Sequence, residues 1–160
     1  MNKCLIISIF LIGISIAVNA QILKCVDPSY IAFTAKVDNI KSMDQGIYIN
    51  VQTTITNNSS DTLRYLSMSC SWANYYVIDS RAFHLPTSEC DKDTALLIQV
   101  APHKRQETML RLISLLNTKQ LHSVKFKIGF KFVQACDTDK ASKELRRSKN
   151  TIWSNSLMLK

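Results

Sequence analysis

The amino-acid sequence predicts an all-β chain folded as an antiparallel sandwich of about seven or eight short strands. Three observations predict it. Large hydrophobic residues alternate with polar ones along several short runs, which is the mark of half-buried strands. Turn-forming residues separate these runs at intervals of roughly 8–12 residues. No helical pattern lies between consecutive runs, which disfavours a parallel sheet with helical crossovers.

In chain order, residues 29–40 open the domain. Residues 46–56 form a strand with Ile47, Ile49, Val51 and Ile55 on one face. Asn57-Asn58-Ser59-Ser60-Asp61 follows as a turn, because these short side chains bond their own backbone and tolerate left-handed geometry. The same residues contain two N-glycosylation sequons, which read here as turn chemistry. Residues 62–72 resume the extended pattern, with Leu66, Met68, Cys70 and Trp72 alternating with serines, so a hairpin with 46–56 is expected. Residues 75–78 are a short strand turned by Asp79-Ser80-Arg81, and 83–90 reads as irregular because Pro86 cannot donate to a ladder.

Ala95–Val100 is a strand stopped by Ala101-Pro102. Residues 108–113 read as another, although Met109, Leu112 and Ile113 would also share a helical face. The clearest strand is 124–132, where Val, Phe, Ile, Phe and Phe alternate with Lys or Gly. Residues 139–149 suit a helical turn or two, and 151–159 close the domain.

Ahead of these elements, Lys3 is followed by an uncharged apolar run and then by Val18-Asn19-Ala20. A charged start, an apolar middle and a small-residue exit make residues 1–20 a secretory signal peptide. A transmembrane anchor needs about 20 apolar residues, and this run meets Asn19 before reaching that length. The expectation is one domain, 21–160, in a secreted or periplasmic setting. No second run is long enough to span a bilayer.

The chain has five cysteines; Cys4 belongs to the leader, leaving Cys25, Cys70, Cys90 and Cys136. An even set in an oxidising compartment reads as two disulfides with three connectivities open. The favoured one joins Cys70 to Cys90, stapling a local excursion, and Cys25 to Cys136, tying the mature N-terminus to the end of a late strand. Zinc is disfavoured because neither the cysteines nor His84 and His103 have ligand spacing.

The formal net charge is +8, one less once Lys3 is removed. Lys140, Lys143, Arg146, Arg147 and Lys149 concentrate it within 140–149. Export makes nucleic acid an unsuitable partner. The segment reads either as a contact for anionic surfaces or as a solvated face.

Catalytic signatures are weak. No Gly-x-Ser-x-Gly elbow accompanies His84, His103 or His122, and cysteines in disulfides are not nucleophiles. A copper site drawn from Met68, Cys70, His84, Cys90, His103 and Met109 fails because Cys136 is followed by Asp137-Thr138-Asp139-Lys140, with no His or Met near. The carboxylate pairs Glu89/Asp91 and Asp137/Asp139 read as turn caps. No cofactor is expected. Tyr65, Trp72, Tyr75 and Tyr76 crowd together in sequence, and amphipathic rings suit a protein or sugar surface. The candidate binding surface is therefore Tyr75, Tyr76, Phe83 and His84, beside the Cys70 to Cys90 excursion.

The segments Asn57-Asn58-Ser59-Ser60-Asp61-Thr62-Leu63, Ser67-Met68-Ser69-Cys70-Ser71-Trp72, Cys90-Asp91-Lys92, Val100-Ala101-Pro102 and Phe126-Lys127-Ile128-Gly129-Phe130 resemble small secreted immunoglobulin-like proteins of Bacteroidetes-type bacteria with no assigned activity. The likeness covers most of 21–160 and implies an immunoglobulin-like sandwich. A looser likeness is to immunoglobulin-like proteinase inhibitors of the BsuPI type, from which this chain departs by its cysteines and leader. It also departs from antibody-type domains, since Trp72 shares a predicted strand face with Cys70, and Gln134 stands two residues before Cys136 where those domains place Tyr. The expected function is an exported, non-enzymatic binding or structural accessory domain acting on a protein or cell-envelope surface. The alternative is an extracytoplasmic protease inhibitor presenting residues 79–93 as a disulfide-locked loop. A hydrolase with scattered residues is a third.

Overall fold

In a computed structural model that describes residues 24–43, 46–86, 90–114, 116, 118–121, 123–136, 141, 143 and 150–159, the chain is all-β, antiparallel and sandwich-like. The expected leader, Glu89, His122, Asp137, Asp139 and all the basic residues of 140–149 except Lys143 lie outside the described residues. Eleven strand segments are described, more than the sequence suggests. The excess arises because two predicted strands are each divided and one irregular stretch supplies a short strand.

The first layer has the order β1-β2-β7-β5, with β1 Ile31–Met43, β2 Gly46–Asn57, β5 Phe83–His84 and β7 Arg105–Ser114. Strand β2 buries every second residue from Ile47 to Asn57, as a period-two strand must when one face meets a core. Its partner β7 pairs with it from Ile47↔Ser114 to Thr56↔Arg105 and buries Leu110, Leu112 and Ser114. The helical option for 108–113 is therefore not taken. Residues 83–90, expected to be irregular, begin with β5, which pairs Phe83 and His84 to Ser114 and Ile113.

The second layer is organised around the late strand, divided at Lys127 into β8 Lys125–Phe126 and β9 Ile128–Lys131. On one side lie β10 Thr151–Trp153, against β9, and β11 Leu157–Met158, against β8. On the other lies β4 Tyr76–Ile78. Strand β3 Leu63–Met68 joins the same side further along, where the Leu66 N–H donates to the Val133 carbonyl (3.1 Å) and the Ala135 N–H to that of Arg64 (2.9 Å). Strand β6 Ala95–Val100 pairs with β3 from Leu63↔Val100 to Met68↔Ala95. The alternation along 124–132 holds, with Phe126, Ile128 and Phe130 buried and Lys125 and Lys127 exposed. Gly129 differs from the lysines: it is buried, and a Cβ there would meet Thr151 at 2.6 Å, Val77 at 2.7 Å and the Trp153 ring at 2.9 Å.

Two expectations are corrected. The hairpin between 46–56 and 62–72 does not form, since β2 pairs with β1 and β7 whereas β3 pairs with β6. The turn carries the chain from one layer into the other. The strand 62–72 ends at Met68, and Trp72 belongs to a 3-10 helix, Ser71–Tyr75.

Between the layers, Phe33, Tyr65, Tyr76, Phe130 and Phe132 form an aromatic cluster, with Tyr76 and Phe130 rings 4.8 Å apart and Tyr65 edge-on to Phe130 at 5.8 Å. Aliphatic side chains of β2 and β7 pack against it. Each fully buried Leu, Ile or Phe contributes about 1.5–3 kcal/mol relative to exposure. A smaller cluster of Leu66, Val133, Ala135 and Ala141 lies apart from the main core. Among the described residues no helix is long and apolar enough to cross a membrane.

Candidate functional site

The region around the Cys70–Cys90 excursion begins where β3 ends. Asp93 brings this about: its carboxylate accepts from the Cys70 N–H (3.1 Å), the Ser71 N–H (3.3 Å) and the Ser71 hydroxyl. Those donors would otherwise extend the β3 ladder. The Ser69 N–H donates to the Thr94 carbonyl at 2.9 Å, and the Thr94 N–H donates to the Ser69 hydroxyl at 3.0 Å. The bonds that Asp93 itself accepts, led by that from the Ser71 hydroxyl and followed by those from the Cys70 and Ser71 N–H groups, hold it below its ordinary pKa. Cys70 pairs with Cys90, Cα atoms 6.0 Å apart. Cys25 pairs with Cys136, Cα atoms 5.2 Å apart. Both are the pairs favoured from sequence.

The four residues expected to form a binding surface are not brought together on the outside. Tyr76 and Phe83 are core residues, 8% and 5% exposed. Tyr76 points inward from β4, and burial raises the pKa of its hydroxyl while hydrogen bonds with Thr108 and Thr53 pull it part of the way back. Phe83 packs against Phe126 with the rings tilted and their centroids 4.5 Å apart. Tyr75 is half-buried against both clusters, and His84 is exposed. Sequence proximity of aromatic residues gave the wrong face, because the strand alternation of β4 turns Tyr76 into the core.

Trp72, on the 3-10 helix, is half-buried and packs against the main core. It stands edge-on to Tyr76 at 6.1 Å and walls a groove of about 380 Å³ whose other lining includes Asn50, Leu85, Pro86, Met109 and Arg111. The groove offers an indole, aliphatic and thioether surface, one guanidinium and one amide. It can hold an apolar or aromatic group and bond a carbonyl or anion at its rim. None of its lining residues is a nucleophile or general base. Part of this lining could have been found from sequence, since Met109 and Arg111 alternate with the buried Leu110 and Leu112 on β7; Leu85 and Pro86 could not, because they fall in the stretch read as irregular.

A second groove, about 810 Å³, lies at the Cys25–Cys136 corner beside Asp27, Tyr30, Ser60, Asp61 and Gln134. There Asp27 accepts from the Ser29 N–H (2.8 Å) and hydroxyl (2.7 Å), and these bonds lower its pKa.

Asn57 is the residue whose importance the sequence hid. It is fully buried, and its amide N–H groups donate to the carbonyls of Asp61 (2.7 Å), Val100 (2.9 Å) and Ala101 (3.2 Å), while its oxygen accepts from Ser59. This network turns the chain between layers and puts the Asn57 sequon to structural use. His103, with φ 57°, is the left-handed residue of a turn closed by the Lys104 N–H on the Ala101 carbonyl. Among the described residues no group of three or more His, Cys, Asp or Glu side chains is placed to hold a metal ion.

No protein-family model matches the chain, and no curated protein does. Among solved structures it is similar to a FixG-related protein from Vibrio parahaemolyticus, at 14% identity and a TM-score of 0.35, with 84% of this chain and 99% of that chain covered; at that distance the likeness carries no argument about function.

Proposed function

We propose that the chain is an exported, non-enzymatic binding or structural accessory domain that meets a protein or cell-envelope surface, of the kind its sequence resembles. The observation that carries this reading is the Cys70–Cys90 pair. A pair of this kind belongs to an oxidising compartment, and it anchors the turn that bears Trp72 at the mouth of a groove suited to contact and lacking a nucleophile or base among its lining residues. Aromatic side chains held rigidly at a surface are efficient anchors, since little side-chain entropy remains to be lost on binding. The inhibitor reading has less support, because Phe83 and His84 are paired into the first layer instead of projecting from it.

The test is peptide mapping of the natural protein under non-reducing conditions, with free thiols alkylated first. The expected result is a chain beginning at Gln21, recovered outside the cytoplasm, with its cysteines linked. An intact Met1 together with four alkylatable thiols at positions 25, 70, 90 and 136 would overturn the reading.

A further inference from the structure

We propose that the free edge of β6 is a self-association surface, at which a second copy of this chain adds its own β6 antiparallel about a two-fold axis near Leu97 and Ile98. Among the described strands β6 pairs with β3 alone, so its other side presents main-chain donors and acceptors in strand geometry. Such edges template the addition of another strand unless charge, proline or a bulge blunts them. From Thr94 to Val100 the chain carries no charge and no proline. Leu96 and Leu97 are 43% and 41% exposed. Leu96 and Ile98 also line a cleft of about 240 Å³ together with Tyr65, Trp72, Tyr76 and Phe130.

The opposite edge of the molecule shows what protection looks like. Strand β1 carries Lys36, Asp38 and Lys41, its register slips between Val37 and Asn39, and its Ala35 N–H is already engaged by Asn155 at 2.9 Å. One edge is guarded by charge and irregularity; the other has neither.

The flanks of β6 name the occupant. On the N-terminal side stands Asp91-Lys92-Asp93 and on the C-terminal side Lys104, since the next cation, Arg105, is already paired with Glu107 at 3.1 Å; the two flanks are opposite in net sign. An antiparallel two-fold pairing sets the first flank of each copy beside the second flank of the other, so the charges complement twice. A closed two-fold contact is also the commonest form of self-association.

Sedimentation of the purified, oxidised chain from micromolar to near-millimolar concentration tests this. The wild type is expected to move from monomer to dimer. Leu97→Lys places like charges close to each other across the axis and is expected to weaken the dimer by about tenfold or more, whereas Ile40→Lys on β1 leaves it unchanged. Asp91→Lys and Lys104→Asp are each expected to weaken it, and the double variant to recover it, a result that does not depend on Leu97→Lys folding well. A wild-type chain that stays monomeric throughout overturns the proposal and leaves the edge to a strand from a different protein. So does a dimer lost in Ile40→Lys and retained in Leu97→Lys.

Discussion

The corners at Cys25–Cys136 and Cys70–Cys90 both hold a stretch of chain against the sandwich, but by different means. At the first, the bond spans 111 residues, and the segment it ties is also held without it. The Val26 N–H donates to the Gln134 side-chain carbonyl at 2.9 Å, the Gln134 amide donates back to the Val26 carbonyl at 2.7 Å, and Val26 is buried in the core. At the second, the bond spans 20 residues, and the bonds around it, centred on Asp93, are exposed to solvent. The difference separates two uses of a cross-link. The long bridge restricts the unfolded chain and adds little to a native corner that packing and an amide pair already define. The short bridge constrains a surface turn that has little core of its own.

The largest expected effect follows from loop length. In the chain-entropy account, replacing Cys25 and Cys136 together by Ser removes about 5 kcal/mol of stability for a loop of 111 residues. Urea unfolding should show the midpoint fall while near-ultraviolet circular dichroism of the folded protein stays as it was. A native-state spectrum that changes would mean the corner depends on the bond itself, and the contrast between the corners would collapse. The same replacement at Cys70 and Cys90 should remove about 3 kcal/mol for a loop of 20 residues. Here the native signal should change, because Trp72 lies two residues from Cys70 and would lose its fixed setting.

How far these corners could be read from the sequence depended on the range of the forces involved. The burial pattern of β2 was legible because Ile47, Ile49, Val51 and Ile55 recur at the period of two that one local rule sets, and the observed pairing of cysteines is the favoured one of the three connectivities that spacing left open. The crossover after β2 was not. The turn residues 57–61 announce a change of direction, but its destination is set by Asn57 bonding to carbonyls at Val100 and Ala101, which only the folded chain brings near. Likewise the alternation from Leu66 to Trp72 resembles a continuing strand, and only Asp93, distant in sequence, takes the amides that end it. The binding surface was misplaced for a related reason: Tyr75, Tyr76 and Trp72 are neighbours along the chain, but β4 and the 3-10 turn send them to different depths.

A smaller effect sharpens the first corner. Gln134→Ala removes both amide bonds to Val26 and leaves its buried backbone groups without those partners, a change expected to cost about 1–3 kcal/mol. If the corner is doubly secured, this cost should be larger in the protein lacking the Cys25–Cys136 bond than in the oxidised one. Equal costs in a double-mutant cycle would show that the cross-link and the amide pair act independently.

The smallest expected effect distinguishes the corners by acid. Asp93 has its pKa lowered chiefly by the Ser71 hydroxyl and further by the Ser71 and Cys70 amides, so the ionised form is the one the folded turn prefers. A depressed folded-state pKa means that this contribution is fully present above the unfolded value, near 3.8, and is lost as pH falls through the lower folded value. The amide protons of Cys70 and Ser71 should therefore titrate together with a midpoint below 3.8, and Asp93→Asn should abolish that step. The Val26–Gln134 pair has no charge to lose, so the Val26 amide should stay flat over the same range, while the Ser29 amide follows Asp27, whose pKa is also lowered. A midpoint at or above 3.8 for Cys70 and Ser71 would mean that Asp93 does not organise the turn. The stability of the second corner would then rest on its disulfide alone.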